Sequence, residues 1–346
     1  MHINKVELHN FRNYENQEIK FKKNINVFYG DNAQGKTNIL EAIFLCAFGK
    51  SFRTTREKEL IKLGEENARI KVEYSKKDRD GNILICISDK KQILVNGVKI
   101  KKLSELLGKI NIVIFTPDDI NILKGTPALR RRFLDMMIGQ LRPNYVYILN
   151  MYNKTLEQRN NYLRQIRQEG KAESLLEIWD EKLVEYGNII SNYRREIIHK
   201  KITNDNEKID IIYTSCCENK KNYMDLLTQR RKLDIIKGYT TKGIHRDDFE
   251  VYINDKELSI YGSQGQNRTA VLSLKLSELQ VIHDEIEEEP ILLLDDFMSE
   301  LDIKRRRNFL NNINNTQVII TCAEKINFIN ENVDYYLYQV KKGEII

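Results

Sequence analysis

Four residues near the start of the chain have the types and spacing of a phosphate-binding loop. Gly30, Gly35, Lys36 and Thr37 match the pattern G-x-x-x-x-G-K-[ST]. Glycines let such a loop curl its backbone N–H groups around phosphates, the lysine reaches the β- and γ-phosphates, and the hydroxyl serves Mg²⁺. The predicted nucleotide-binding residues are Gly30, Asp31, Asn32, Ala33, Gln34, Gly35, Lys36, Thr37 and Asn38.

Two carboxylates late in the chain complete this chemistry. The segment ILLLDD reads as a buried strand that ends in Asp295 and Asp296. A carboxylate beside a phosphate loop can bind Mg²⁺ through water, and its neighbour can polarise the attacking water. We therefore predict Lys36, Asp295 and Asp296 as catalytic residues, with Thr37 and Asp295 at the Mg²⁺ site.

A second anion-binding motif stands at the start of a predicted helix, where a serine hydroxyl, a glycine backbone and the helix dipole favour a phosphate. Its residues are Ser263, Gln264, Gly265 and Gln266. Polar residues that follow the acidic pair, or that end the next strand, are candidates for a switch or dimer loop. They are Ser299, Asp302 and Thr321.

The elements that must position these motifs alternate between strands and helices. Period-two patterning over the first 30 residues predicts short strands, and the last of them, INVF, runs directly into the phosphate loop. An apolar periodic segment from Ile39 to Ala47 and the span from Gly265 to Glu285 predict helices. QVIIT predicts a strand, and Lys342-Gly343 a terminal hairpin. This order predicts an α/β core assembled from N- and C-terminal lobes.

The middle of the chain has a different pattern and reads as an insertion. A β-meander is expected at about residues 65–105, with turns at Asp80-Gly81 and Asn96-Gly97. Residues 145–201 predict helices broken near Glu169-Gly170, and another helix is expected around Met224 to Ile236. Strands are then expected at FEVYI and LSIY. The predicted domains are a core of residues 1–125 and 237–346 and a mostly helical lobe of residues 126–236.

Composition excludes several classes of protein. The chain of 346 residues has 56 Lys and Arg against 50 Asp and Glu, a net charge of +6. No apolar run reaches the roughly 18 residues that a membrane span requires, and the polar start lacks signal-peptide character. The five scattered cysteines show no zinc-ligand spacing and predict reduced thiols, so a cytoplasmic protein is expected.

Basic residues are grouped, which is the pattern of a surface that neutralises backbone phosphates without reading bases. The candidate DNA-binding residues are Lys50, Arg53, Arg56, Arg130, Arg131, Arg132, Arg305 and Arg306. Each cluster fits a solvated helix face as well, and some of the residues from Arg130 to Arg132 could instead pair with carboxylates such as Asp135.

The order of these motifs resembles the ATPase heads of the ABC superfamily, in its SMC-like branch, and more closely the RecF family of that branch. The similarity is carried by two long motifs and three short ones: PDDINILKGTP with RRRFLD, LLDDFMSELD with Lys304, LHNFRNY, KSFR and HRDDFE. The resemblance spans nearly the whole chain. It implies a P-loop NTPase of ABC/SMC-head type with a split core.

The resemblance also implies an activity. Members of this family are slow, DNA-stimulated ATPases that bind ATP and Mg²⁺, form an ATP-dependent homodimer through the SxGQ motif, and bind single-stranded, double-stranded and gapped DNA. They act with RecO and RecR to place RecA on gaps, in connection with the SOS response. Arg12, within LHNFRNY, is a further expected ATP contact. Asp296 and Thr321 replace the usual glutamate and switch histidine, which favours a timer over a fast motor.

Two other functions remain open from the residues. A phosphotransferase with a small acceptor would use the phosphate loop, but it leaves SQGQ and SELD without a role. A DNA-binding scaffold with a purely structural nucleotide is compatible with the missing glutamate. A transporter ATPase subunit is a weaker alternative because no glutamine loop is evident.

Overall fold

The computed structural model describes residues 1–199, 209–253, 256–296, 309, 313, 315–325 and 334–346. Within these residues, no helix has the length and apolar character needed to span a membrane. The predicted residues Ser299, Asp302, Arg305 and Arg306 lie outside the described part of the chain.

The described residues form strands and helices whose bounds are as follows. The strands are β1 His2–Phe11, β2 Tyr14–Lys20, β3 Ile25–Tyr29, β4 Ala68–Ser75, β5 Asp80–Ile87, β6 Gln92–Val95, β7 Val98–Lys99, β8 Ile112–Phe115, β9 Ile209–Thr214, β10 Asp248–Ile253, β11 Lys256–Glu257, β12 Ile291–Asp295, β13 Val318–Cys322, β14 Tyr335–Lys341 and β15 Glu344–Ile345. The helices are α1 Lys36–Phe48, α2 Asn121–Lys124, α3 Pro127–Leu141, α4 Pro143–Glu169, α5 Glu177–His199, α6 Lys220–Lys237, α7 Leu258–Tyr261 and α8 Gln264–Ile286.

The chain divides into two compact units. The first comprises Met1–Asp119 and Glu278–Ile346, and the second comprises Ile120–Ser277. The expected core segment that began at residue 237 is therefore shorter in the structure. The reason is that β10 pairs antiparallel with β9 along its whole length, from Asp248 opposite Thr214 to Ile253 opposite Ile209, which ties residues after 237 to the inserted lobe.

The first unit contains the sheet that carries the phosphate loop. Its strand order is β15-β14-β3-β13-β12-β8. Strands β14, β3, β13, β12 and β8 are parallel to one another, and the edge strand β15 is antiparallel to β14. Strands β8, β12 and β13 are buried at every position, as expected for parallel strands covered on both faces. Parallel strands end at one edge, so residues that follow β3, β12 and β13 gather there.

A second sheet in this unit is antiparallel, in the order β2-β1-β4-β5-β6-β7, and contains the expected meander. Asn96 and Gly97 form its two-residue turn with φ of 50° and 79°, as predicted. The prediction of a turn at Asp80-Gly81 is wrong. Asp80 and Gly81 belong to β5, and the chain reverses one step earlier, where the Lys76 N–H donates to the Arg79 carbonyl at 2.8 Å.

The second unit is built on three long helices. α4 ends at Gly170 in the left-handed region, so the expected break near Glu169-Gly170 is confirmed. α4 and α5 pack antiparallel, since Tyr145 contacts Tyr193 and Tyr162 contacts Trp179. Their interface with α6 is held by the fully buried Arg159, which donates to Asp180 at 2.6 Å and to Asp234 at 2.8 Å.

A small antiparallel sheet, β11-β10-β9, belongs to the same unit. FEVYI forms β10 as predicted, but LSIY forms helix α7 and not a strand. Short apolar runs fit either structure, and here the Gly262 N–H donates to the Leu258 carbonyl at 3.1 Å to close one helical turn.

Candidate functional site

The phosphate-loop motif lies between β3 and α1, the strand and helix that the sequence predicts around it. Gly30 and Gly35 have φ of 151° and 112°, which other residues rarely adopt. A Cβ on Gly30 would lie 2.4 Å from the Val340 carbonyl oxygen, and one on Gly35 would lie 2.5 Å from the Asn13 side chain. The loop therefore requires glycine at both positions for its conformation and for its close neighbours.

Lys36 turns back over the loop. Its Nζ donates to the carbonyl oxygens of Gly30 at 2.5 Å and Asp31 at 2.7 Å, and only 8% of the residue is exposed. Burial lowers the pKa of Lys36, against the opposing influence of Asp296. An ammonium held by two carbonyl dipoles at a loop of this kind can exchange them for the oxygens of an anion.

Thr37 and Asp295 meet at the edge of the sheet. The Thr37 hydroxyl donates to Asp295 Oδ1 at 2.7 Å, and the Thr321 hydroxyl donates to the same oxygen at 2.7 Å. Asp295 and Thr321 are partners in register on the parallel strands β12 and β13. Thr321 is almost fully buried, so its hydroxyl positions the Asp295 carboxylate and is not exposed to solvent.

Asp296 adopts a left-handed conformation immediately after the strand. Its φ is 50°, a region in which aspartate and asparagine are the best tolerated residues after glycine. The Asp296 N–H donates to the Thr321 carbonyl and to the Thr321 hydroxyl, both at 3.1 Å. These two bonds hold the backbone turn at Asp296 against the end of β13.

A cavity of about 330 Å³ lies over these groups. The residues that line it are Asn32, Ala33, Gly35, Lys36, Thr37, Asn38, Arg53, Asp295, Asp296 and Thr321. A glycine loop, a buried ammonium and a hydroxyl–carboxylate pair are the donor set that suits a nucleoside triphosphate with Mg²⁺. The residues present fit that group.

The loop is braced by residues that sequence reasoning missed. Asn13 donates from Nδ2 to the Gln34 carbonyl at 2.8 Å and accepts from Asn38 Nδ2 at 2.7 Å. From the terminal hairpin, the N–H groups of Lys342 and Gly343 donate to Gln34 at 2.6 and 3.1 Å. The side chain of Gln34, predicted to bind nucleotide, is thus engaged with the hairpin.

A buried carboxylate, Glu41, organises the arginines near the loop. Arg12 donates to it from Nε at 2.8 Å and Nη2 at 2.6 Å, and Ser51 from Oγ at 2.5 Å. Arg53 lies 3.5 Å from Glu41 and donates to Asn38 at 2.7 Å. Arg53, which was predicted as a DNA contact, lines the cavity. Arg12, which was predicted as an ATP contact, is bonded to Glu41. The sequence offered one sign of this role, because Glu41 is the one charged residue in the apolar segment from Ile39 to Phe48.

The SxGQ residues form a capping box at the start of α8, in the second unit. The Ser263 N–H donates to Gln266 Oε1 at 2.9 Å, and the Gln266 N–H donates to Ser263 Oγ at 3.2 Å. Ser263, Gln264 and Gln266 are exposed, and Gly265 is half-buried. The helix N-terminus therefore faces solvent with its polar side chains outward.

The arginines expected at DNA have mixed surroundings. Arg130 forms a bidentate pair with Asp248 at 2.6 and 2.9 Å, and Arg131 donates to the Asp247 carbonyl at 2.8 Å, so both stabilise the second unit. The alternative that the sequence left open, pairing with carboxylates, thus holds for Arg130, whereas Asp135, the example named for it, accepts from Arg194 at 2.8 Å. The remaining predicted contacts in the described residues, Lys50, Arg56 and Arg132, are exposed.

The chain is similar to known proteins over nearly its whole length. The family model of the RecF/RecN/SMC N terminal domain matches residues 2–345. The DNA replication and repair protein RecF of Clostridium perfringens is 44% identical over 100% of this chain and 99% of its own, and that of Acetivibrio thermocellus is 41% identical over 98% and 97%. The chain belongs to the RecF family.

Solved structures support the same assignment. The recombination mediator protein RecF with ATPrS has a TM-score of 0.92 and 38% identity, covering 99% of this chain and 97% of that one. An SMC head bound to a winged-helix domain of ScpA is similar in fold, with a TM-score of 0.55 and 17% identity over 100% of this chain and 97% of its own. The predicted ABC/SMC-head fold and the resemblance to RecF are confirmed.

Proposed function

We propose that this RecF-family chain is a slow ATPase of recombinational repair that acts in the cytoplasm. It binds ATP and Mg²⁺ in the cavity over the phosphate loop, dimerises on ATP and binds single-stranded, double-stranded and gapped DNA. With RecO and RecR it helps to place RecA at gaps, in connection with the SOS response. The observation that carries the proposal is the contact of Thr37 with Asp295 beside Lys36, within one cavity.

The residues of the cavity divide the work on the nucleotide. Lys36 exchanges the Gly30 and Asp31 carbonyls for phosphate oxygens, and Arg53 adds a second cation at the rim. When bound, Mg²⁺ would neutralise phosphate charge, held by Thr37 and, through water, by Asp295. Asp296 orients the attacking water and accepts its proton.

The capping box at Ser263 is proposed to act on the nucleotide of a second copy. A helix N-terminus with an exposed serine and glutamine is suited to bind a phosphate that another molecule presents. Binding of one ATP by two chains would couple dimerisation to the presence of the γ-phosphate. Hydrolysis would then dissolve the dimer and set the time that it stays on DNA.

A low rate of turnover follows from the acidic pair. Asp296 has a side chain one methylene shorter than glutamate and is fixed by its own left-handed backbone conformation, which restricts its reach. Thr321 stands at the position of a switch residue, and its hydroxyl donates to Asp295. Neither group favours fast proton transfer.

Sedimentation and ATP hydrolysis, measured with and without gapped DNA, test this function. We expect an ATP-dependent dimer whose hydrolysis DNA stimulates, and Lys36→Ala should abolish nucleotide binding. Ser263→Arg should keep nucleotide binding by the monomer and prevent the dimer. Asn219→Ala is the control. The Asn219 side chain caps α6 by accepting from the Asn222 N–H at 2.9 Å, so this substitution also removes a helix cap, but at a different helix.

Other outcomes would support the other functions. A monomer that transfers phosphate to a metabolite would indicate a phosphotransferase. DNA binding with no hydrolysis under any condition would indicate a scaffold with structural nucleotide. Equal dimerisation of Ser263→Arg and wild type would contradict the role of the capping box.

A further inference from the structure

A group of cations that are far apart in the sequence comes together where α4 and α6 end. We call it the α4–α6 basic patch, and it consists of the cations Arg164, Arg167, Lys237 and Arg246 together with the aromatic residue Tyr239. All five are exposed. This differs from Arg130 and Arg131, whose guanidinium groups bind Asp248 and a backbone carbonyl of their own unit.

Gly238 explains why the patch forms. It ends α6 with φ of 71°, and its N–H donates to the Asp234 carbonyl at 2.7 Å. A Cβ at this position would lie 3.1 Å from Arg164 Cγ and 3.3 Å from Arg167 Nη1. The glycine therefore lets the chain pass directly against the two arginine side chains.

One face of α4 is matched to this loop. Asn160 accepts from the Thr240 N–H at 2.7 Å and from the Thr240 hydroxyl at 2.8 Å. Arg164 and Arg167 follow Asn160 by four and seven residues, the spacing of one helix face. Arg167 also donates to the Ile236 carbonyl at 3.3 Å, which fixes its guanidinium beside the end of α6.

Tyr239 and Arg246 extend the patch. The Arg246 guanidinium lies 5.9 Å from the centre of the Tyr239 ring, and the ring remains 40% exposed. Exposed arginine beside an exposed aromatic ring is the combination that phosphate and base contacts use in nucleic-acid interfaces. A guanidinium in such a pair keeps its planar donors available at the surface.

Two carboxylates close to the patch in the described part of the chain, Asp234 and Glu169, have partners outside the patch. Asp234 is fully buried, where it accepts from Arg159 at 2.8 Å and from the Thr241 hydroxyl at 2.7 Å. Glu169 lies 3.0 Å from Lys171. Cations in the last turn of a helix also stabilise its dipole, which would explain Arg167 and Lys237. It does not explain the exposed ring of Tyr239, and Arg246 belongs to neither helix but to a separate three-residue 3-10 turn, Ile244–Arg246.

We propose that the α4–α6 basic patch binds the phosphate backbone of DNA. The inference rests on the DNA binding in the proposed function and assigns it a surface in the second unit. Because the arginines reach phosphates and not base edges, binding through the patch does not depend on base sequence and weakens with salt.

The test is the affinity of the full chain, with ATP and Mg²⁺, for a fluorescent gapped duplex over a range of salt concentrations. For Arg164→Glu/Arg167→Glu we expect roughly tenfold weaker binding or more, and a plot of log affinity against log salt whose slope is smaller by about 2. Arg164→Lys/Arg167→Lys should keep most of the slope, since it keeps both charges.

The matched control is Lys220→Glu/Lys221→Glu, which changes the net charge equally at the opposite end of α6, about 27 Å away along an 18-residue helix. It should bind as wild type does. Nucleotide binding and helix content show whether each variant is folded. If the glutamate pair loses helix content, Arg164→Gln/Arg167→Gln replaces it, with the same expected change in slope.

Wild-type affinity and slope in the patch variant would overturn the patch while leaving DNA binding intact. An equal loss in the patch and control variants would also overturn it, because net charge would then explain the effect. A wild-type chain that binds no DNA under any salt condition would overturn the proposed function itself, and the patch with it.

Discussion

The Thr37 hydroxyl donates to Asp295 at 2.7 Å although 258 residues separate them in the chain. Each comes from a different half of the split core: Thr37 lies in the first turn of α1, and Asp295 ends β12. Both belong to the same sheet edge because β3 and β12 are parallel to the strand between them, β13. The chemistry of the site is therefore a product of strand order.

Asp295→Asn should impair Mg²⁺-dependent hydrolysis without unfolding the chain. The amide oxygen can still accept from Thr37 and Thr321, but the negative charge that favours Mg²⁺ is lost. We expect Mg²⁺ affinity and turnover to fall roughly 10- to 100-fold. Titration of Mg²⁺ in an ATPase assay measures this, and wild-type Mg²⁺ dependence would contradict the assignment.

Asp296→Asn should separate binding from hydrolysis. Asparagine tolerates the φ of 50° at this position, so the turn after β12 should persist. Loss of a proton acceptor should lower turnover by roughly 100-fold or more, while ATP-dependent dimerisation remains. Single-turnover hydrolysis and sedimentation measure the two properties. Asp296→Glu is the companion variant, and we expect it to lower stability because glutamate fits the left-handed region less well.

Glu41→Ala should destabilise the first unit. The substitution removes a fully buried carboxylate and leaves the Arg12 guanidinium without its bidentate partner. Breaking a buried ion pair in this way costs about 3–5 kcal/mol. Chemical denaturation measures it, and Glu41→Gln, which keeps an acceptor, should cost less. Equal denaturation midpoints for Glu41→Ala and wild type would refute a structural role for Glu41.

Arg53→Ala should weaken ATP binding, whereas Arg56→Ala should not. Arg53 lines the cavity, but the Arg56 side chain is 82% exposed and lies 3.6 Å from Glu59. Loss of a charged hydrogen-bond donor to phosphate should weaken binding by about tenfold. Calorimetric titration with ATP compares the two variants. If both bind as wild type does, Arg53 has no part in the nucleotide site.

His245 should make the stability of the second unit depend on pH. Burial lowers the pKa of His245 from 6.5 to about 4, and its Nδ1 lies 2.9 Å from the Tyr152 hydroxyl. Between these values the unfolded chain binds a proton that the folded chain does not. The free energy of unfolding should therefore fall as pH drops through this window, by up to about 1.4 kcal/mol per pH unit.

Denaturation of wild type and His245→Asn across that range measures the effect. The variant should lose this part of the pH dependence, although it can still accept or donate one hydrogen bond at Tyr152. A matched change at the exposed His9 should leave the dependence intact. Identical slopes for wild type and His245→Asn would show that His245 does not titrate between the two states.

Local patterns predicted what depends on local structure. The phosphate loop, β12 and the helix break at Gly170 all follow from periodicity and glycine placement within a few residues. The brace at Asn13 and the role of Glu41 were missed because their partners are about 20 to 30 residues away and are chosen by packing. Three consecutive arginines do not show which side chains face solvent, so the sequence left both DNA contact and pairing with carboxylates open for Arg130 and Arg131, and the structure shows them bonded within their own unit.

The misplaced turn at Asp80-Gly81 has a similar cause. Aspartate followed by glycine is a turn signal, but a Cβ on Gly81 would lie 2.5 Å from the Tyr74 hydroxyl oxygen. This glycine serves the close approach of a tyrosine across the strand pair β4–β5. A glycine can serve either a turn or a close contact, and here the residue on the neighbouring strand, Tyr74, decides between them.

The position of β3 between β13 and β14 sets the order in which a ribosome can complete the site. Residue 29 emerges 289 residues before residue 318, so at about 5–20 residues per second β3 waits roughly 15 to 60 seconds for its neighbours. Gln34 gains its last two hydrogen bonds only when residues 342 and 343 have been made. A chain that ends before residue 342 would carry the whole loop sequence but lack both of these hydrogen bonds, so we expect it to bind nucleotide more weakly.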